Sequence, residues 1–179
     1  QLSQSGRSFD LLIWFTVILC FADMVAGICR GQLFQGARIL IEISNLLYFE
    51  ALVVIGYLWV RYVYISVNNT TYFSMKSIFL LRAPLIIFTI IVIINPFTDF
   101  LFSINEANFY MRGQGVIVHW IITWSYFLIA TIMVAYSLII EKNRLKRQAM
   151  IPLLSFFIAP LIASLIQMFF YGVSSTQVG

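Results

Sequence analysis

The sequence predicts an all-α fold, a polytopic bundle of transmembrane helices. Three observations carry this. The 179 residues are 61% hydrophobic and only 10% charged, whereas soluble domains hold about 25% charged residues. A chain so apolar has too little polar surface to face water, so its solvent is lipid. The apolar residues fall into five runs, each near the roughly 20 residues that cross a bilayer. The charges gather between these runs and at their ends.

The chain reads as a single transmembrane domain over residues 1–179. Its first run covers about Phe9 to Cys29. A Gly-containing turn, Arg30 to Gly36, leads to the second, about Ala37 to Ile65. Polar residues from Ser66 to Ser74 precede the third, about Ser77 to Phe102. The Asn- and Gly-rich stretch Ser103 to Gly115 reads as a loop. A fourth run covers about Val116 to Ile140. The fifth, about Ile151 to Tyr171, follows the cationic stretch Glu141 to Arg147. Runs two to four are long enough to tilt or to extend past the hydrocarbon. Cys20 and Cys29 lie about 13 Å apart along one helix, too far for a disulfide.

Orientation follows from the cations. Lys142, Arg144, Lys146 and Arg147 form a short basic connection, and such connections stay in the cytoplasm. Alternation then places Arg7, Arg61, Lys76 and Arg82 on the same side. Arg30, Arg38 and Arg112 lie on the other, so the bias is eight to three. Residue 1 is expected inside and residue 179 outside, in a bacterial cytoplasmic membrane. Trp59, Tyr62 and Tyr64 suit an interfacial aromatic belt. The two sequons in Asn68 to Thr71 would be cytoplasmic and unused.

Ionisable groups within spans are costly, about 2.5–3.5 kcal/mol each on insertion scales, and point to function by default. The first run carries Asp23. Glu42, Asn45 and Glu50 share one broad face of the second. Asn95-Pro96 marks a kink in the third, followed by Asp99. His119 lies in the fourth, with Thr123 one turn on and Tyr126 beyond. Gln167 lies in the fifth. Apart from Glu50, near mid-depth, these groups share the outer level. Three readings stand: an outward-facing polar cavity, hydrogen-bonded helix pairs, or unrelated interfacial residues. His119 is either a pH-responsive switch or a hydrogen-bonded helix residue. Trp120 and Trp124 either pack or line a cage.

No catalytic constellation, phosphate-binding loop or His/Cys metal spacing is present. The expectation is a chain without enzymatic activity, cofactor, metal or nucleic-acid partner of its own, its partner being the lipid bilayer.

The stretch Asn95-Pro-Phe-Thr-Asp-Phe-Leu-Phe-Ser-Ile-Asn-Glu-Ala-Asn-Phe-Tyr-Met-Arg-Gly113 resembles a pattern in the multi-span N-terminal regions of Firmicute-type signalling proteins. Those proteins end in a GGDEF (diguanylate cyclase) or histidine kinase domain. The matching positions are Asn95, Phe97, Phe102, Ile104, Asn105, Asn108, Tyr110, Arg112 and Gly113. The basic stretch before Ile151-Pro-Leu-Leu, and Ile166 to Gly172, are similar too. The resemblance implies a seven-span input module, of which this chain holds spans two to six, and an output domain beyond it. The expected function is to sense an extracytoplasmic cue, with a small ligand as the expected partner, and to relay it through a homodimer of the parent protein. Glu42, Asn45, Asn105, Asn108, Tyr110, Arg112 and His119 are the expected ligand-contacting or loop-ordering residues, with Arg112 pairing with Asp99 or Glu106. The rival readings are a small substrate-binding subunit of a transporter and a purely structural membrane anchor.

Overall fold

The computed structural model describes residues 4–68, 75–148 and 150–153. Their elements are α1 (Gln4–Cys29), α2 (Ala37–Asn68), α3 (Met75–Thr98), β1 (Phe102–Ile104), β2 (Tyr110–Arg112) and α4 (Val116–Ile140). Within all four helices lie stretches long and apolar enough to cross a membrane. Helices are what lipid demands, since each backbone N–H and C=O must find a partner within the segment.

Side-chain contacts set the register. Phe49 of α2 and Phe88 of α3 both meet His119 of α4. Further along, Tyr57 of α2 meets Arg82 of α3 and Tyr126 of α4. α2 therefore runs antiparallel to α3 and parallel to α4. Its Phe9–Tyr62 contact with α1 is also antiparallel. α2 is the central helix, and Val53, Val60 and Val63 in its middle are fully buried. Gly56 lets α4 approach, for a Cβ there would stand 3.1 Å from the Tyr126 Cβ. The Tyr126 hydroxyl donates to the Leu81 carbonyl at 2.6 Å, tying α4 to α3. Along α1, Leu12, Ala22 and Cys29 are buried, while Trp14, Val17, Phe21 and Met24 face outward. An apolar outward face is what a bilayer selects.

Several expectations change. The third run ends as helix at Thr98, not near Phe102. Pro96 lies inside α3, and Asp99 turns into the left-handed region at φ 52°, which ends the helix. The stretch Ser103 to Gly115 is more than a loop, because β1 and β2 form an antiparallel hairpin. Phe102 pairs with Arg112, Ser103 with Met111 and Ile104 with Tyr110. α2 continues three residues past Ile65. Residues 144–148 of the basic connection are already helical. Asn143 caps that turn, its Oδ1 accepting from the Leu145 and Lys146 amides at 3.0 and 3.5 Å, the usual work of an N-cap side chain. Trp59 is buried against Tyr62 rather than facing a bilayer interface. The fifth run beyond Leu153, with Gln167, lies outside the described residues, as do residues 69–71 of the sequons. Cys20 and Cys29 are both free thiols.

Candidate functional site

The hairpin caps one end of the bundle, and Asn95 builds its root. This side chain is 1% exposed. Its Oδ1 accepts the Leu101 amide at 2.6 Å and lies 3.4 Å from the Phe102 amide. Its Nδ2 donates to the Phe102 carbonyl at 3.1 Å. One buried amide thus satisfies the backbone where α3 turns into β1. The return strand closes on the same turn, with the Gly113 and Gly115 amides donating to the Leu101 and Phe100 carbonyls, both at 2.8 Å. Only glycine fits there. A Cβ on Gly113 would lie 2.2 Å from the Phe100 carbonyl oxygen, and one on Gly115 2.4 Å from the Phe100 ring.

The hairpin tip is tied to the α1–α2 turn. Asn108 adopts φ 59°, a left-handed conformation that Asn tolerates better than most residues. Its Nδ2 donates to the Gln32 carbonyl at 2.6 Å, and its own carbonyl accepts the Gly31 amide at 3.0 Å. Asn105 works within the tip, its Oδ1 accepting the Phe109 amide at 2.8 Å. Tyr110 stacks on Phe102 at 5.6 Å, and Phe102 stacks on Phe49 at 5.7 Å. Burial pushes the Tyr110 phenol up to about 12, against the opposing pull of Arg112. The Arg112 guanidinium lies 4.4 Å from the Trp120 ring centroid, a cation–π contact at the start of α4. No ion pair joins it to Asp99 or Glu106 among the described residues.

Beneath the cap lies the α2–α3–α4 junction. His119 is 2% exposed. Phe49 meets its ring edge-on at 4.9 Å and Phe88 at 5.2 Å with a 41° tilt. Among the described residues, neither imidazole nitrogen has a hydrogen-bond partner, and neither has the buried Thr123 hydroxyl, one turn along α4. Glu50 follows Phe49, so it points about 100° away around α2. Thr89, next to Phe88, donates to Glu50 Oε1 at 2.8 Å, while Oε2 has no partner among the described residues. A buried polar group left unsatisfied costs about 1–3 kcal/mol. Four such atoms within this level mark it as the polar centre of an otherwise apolar bundle.

The remaining sequence-selected residues are dispersed. Asp23 and Asp99 are exposed, and Glu42 is half-buried on α2. Asn45 turns back on its own helix, its Nδ2 donating to the Ile41 carbonyl at 2.7 Å. Asn95, Asn105, Asn108, Tyr110 and Arg112 come together in the cap, and Glu50 and His119 in the level below. Lys142, Arg144, Lys146 and Arg147 are exposed beyond the far end of α4. Sequence reasoning passed over Thr89, Phe49 and Phe88, which ring this level. Thr89 is a polar residue in an otherwise continuous apolar run, a signal present but overlooked. Nothing in the sequence marks which phenylalanines turn inward.

Fold and composition together define an integral membrane protein built on a helical bundle with a small hairpin cap. Compared with protein-family models, curated proteins and solved structures, the chain matches none.

Proposed function

We propose that this chain is the membrane-embedded input region of a bacterial signal-transduction protein, relaying an extracytoplasmic cue to a cytoplasmic diguanylate cyclase or histidine kinase domain. The observation that carries the reading is the cap. The same stretch that resembles the sensor pattern, Asn95 to Gly113, folds into one hydrogen-bonded unit. It holds the end of α3, the start of α4 and the α1–α2 turn together. A ligand that favours one arrangement of this unit shifts the helix packing below it, by its differential affinity for the two states. The charge distribution supports an external cap. Arg30, Arg38 and Arg112 lie at the hairpin end, whereas Arg61, Arg82 and Lys142 to Arg147 lie toward the other.

The structural-anchor reading draws support from the same bonds, since Asn95, Asn105 and Asn108 are engaged within the cap. It leaves the unpartnered polar atoms of His119, Thr123 and Glu50 without a role. Reading the coding sequence beyond Gly179 separates the two. A further span followed by a GGDEF or kinase domain supports the input region. A stop codon within a few dozen residues sinks it.

A further inference from the structure

His119 and Thr123 stand four residues apart on α4, hence one turn apart on one face. Both are buried, at 2% and 5% exposure. Among the described residues, three of their polar atoms, Nδ1, Nε2 and Oγ1, are without a hydrogen-bond partner. Threonine hydroxyls in a helix commonly turn back to the carbonyl four residues earlier. Thr16, Thr98 and Thr131 do so here, at 2.8, 3.2 and 2.8 Å. The Thr123 hydroxyl does not take the His119 carbonyl.

The pattern of atoms restricts what could satisfy them. A neutral imidazole offers one donor and one acceptor, and a hydroxyl offers both. The partner must therefore donate and accept. Charge is not called for on the faces that meet the imidazole. α2 presents Phe49 and α3 presents Phe88, while the nearby carboxylate, Glu50, turns toward Thr89. Arg82, further along α3, is engaged with the Tyr57 hydroxyl at 3.2 Å. Arg112 lies over Trp120. The Phe49 and Phe88 ring centroids lie 4.9 and 5.2 Å from the imidazole centroid, packing that excludes a large guest.

We propose that His119 and Thr123 form a binding site for a small, neutral, amphiprotic molecule, one whose hydroxyl or amine centre both donates and accepts a hydrogen bond. Water, a short alcohol and ammonia share this chemistry. Buried polar atoms in a protein interior are commonly satisfied by water, given two to four polar partners, and the other two molecules offer the same pairing of donor and acceptor. The site rests on these side chains alone and stands whether or not the chain relays a signal.

This is the chain's single histidine, so nitrogen-15 labelling of histidine in the full chain, in lipid nanodiscs, reports one imidazole. Both ring nitrogens are expected at hydrogen-bonded chemical shifts, with an exchange cross-peak from the imidazole N–H to guest protons. A cross-peak at the water resonance identifies water. Its saturable replacement on adding methanol, or ammonia at fixed alkaline pH, identifies the larger guests. Thr123→Val should move at least one nitrogen resonance, and Thr123→Ser should restore it. Nitrogens at the shifts of an unbonded imidazole in the unsubstituted chain overturn the site, as does a cross-peak to a protein hydroxyl or amide. Because those two readings need no variant, a misfolded Thr123→Val leaves the test intact.

Discussion

Asn95 shows how a single side chain sets a local fold. Its amide stands in for a backbone partner at the α3–β1 turn, so Asn95→Ala leaves the Leu101 amide buried and unpaired. The expected loss is about 1–3 kcal/mol, read as a lower midpoint of thermal unfolding in detergent. Asn108 separates conformation from bonding. Asn108→Gly keeps the left-handed backbone at φ 59° while removing the Nδ2 bond to Gln32. Asn108→Ala removes the bond and strains the backbone as well. Amide hydrogen exchange at Gly31, whose N–H donates to the Asn108 carbonyl, should therefore rise more for Ala than for Gly. Equal protection in both variants would show that the backbone conformation matters little. Gly113 is the least forgiving position. The 2.2 Å approach to the Phe100 carbonyl is to backbone, which cannot swing aside as a side chain does. Gly113→Ala should disrupt the hairpin, seen as loss of hydrogen-exchange protection across 102–112.

At the scale of elements, α4 comes close against α2 at Gly56. Small residues permit such contact between membrane helices, where dispersion and hydrogen bonds replace the hydrophobic effect. Gly56→Leu would push its side chain into Tyr126 and separate the helices. Overpacking of this kind costs about 1–3 kcal/mol. It should also weaken the Tyr126 hydroxyl bond to Leu81, so Tyr126→Phe should cost less in the Gly56→Leu background than alone. A double-mutant cycle on unfolding free energy checks this, and strict additivity would show that the two contacts are independent. The hairpin is short, three residues a side, and two strands alone are marginal in water. Its order comes from anchorage at Asn95, at the α1–α2 turn, and on the Phe49 and Trp120 rings.

Across the whole molecule, the two ends differ in charge and in construction. One is closed by the hairpin, and the other carries the exposed Lys142, Arg144, Lys146 and Arg147. With the hairpin outside, Asn143→Cys should be unreactive toward a membrane-impermeant thiol reagent added to intact cells. It should react once the cells are opened. The measurement is made on a Cys20→Ser, Cys29→Ser background, since both native thiols are free. Labelling of Asn143→Cys in intact cells would reverse the orientation and with it the external cue.

Composition and hydropathy fix the solvent and the elements. Twenty-residue apolar runs force helices in lipid, so the second run was legible to within three residues and Val116–Ile140 to the residue, while α1 begins at Gln4, five residues before the expected Phe9. The third departs because its end is set by a buried side chain. Asn95 captures the Leu101 and Phe102 groups, a contact six and seven residues away that no hydropathy pattern encodes. The candidate residues split in the same way. Polarity within a span singled out Glu50, Asn95 and His119. Only packing sets Asn95 as bonded on both sides while His119, among the described residues, is bonded on neither. Packing also decided that Glu50 meets Thr89, which lies 39 positions on. Hydropathy is a property of one chain segment, so it is readable from composition. Partnership is a property of two segments, and it exists only once the helices have packed.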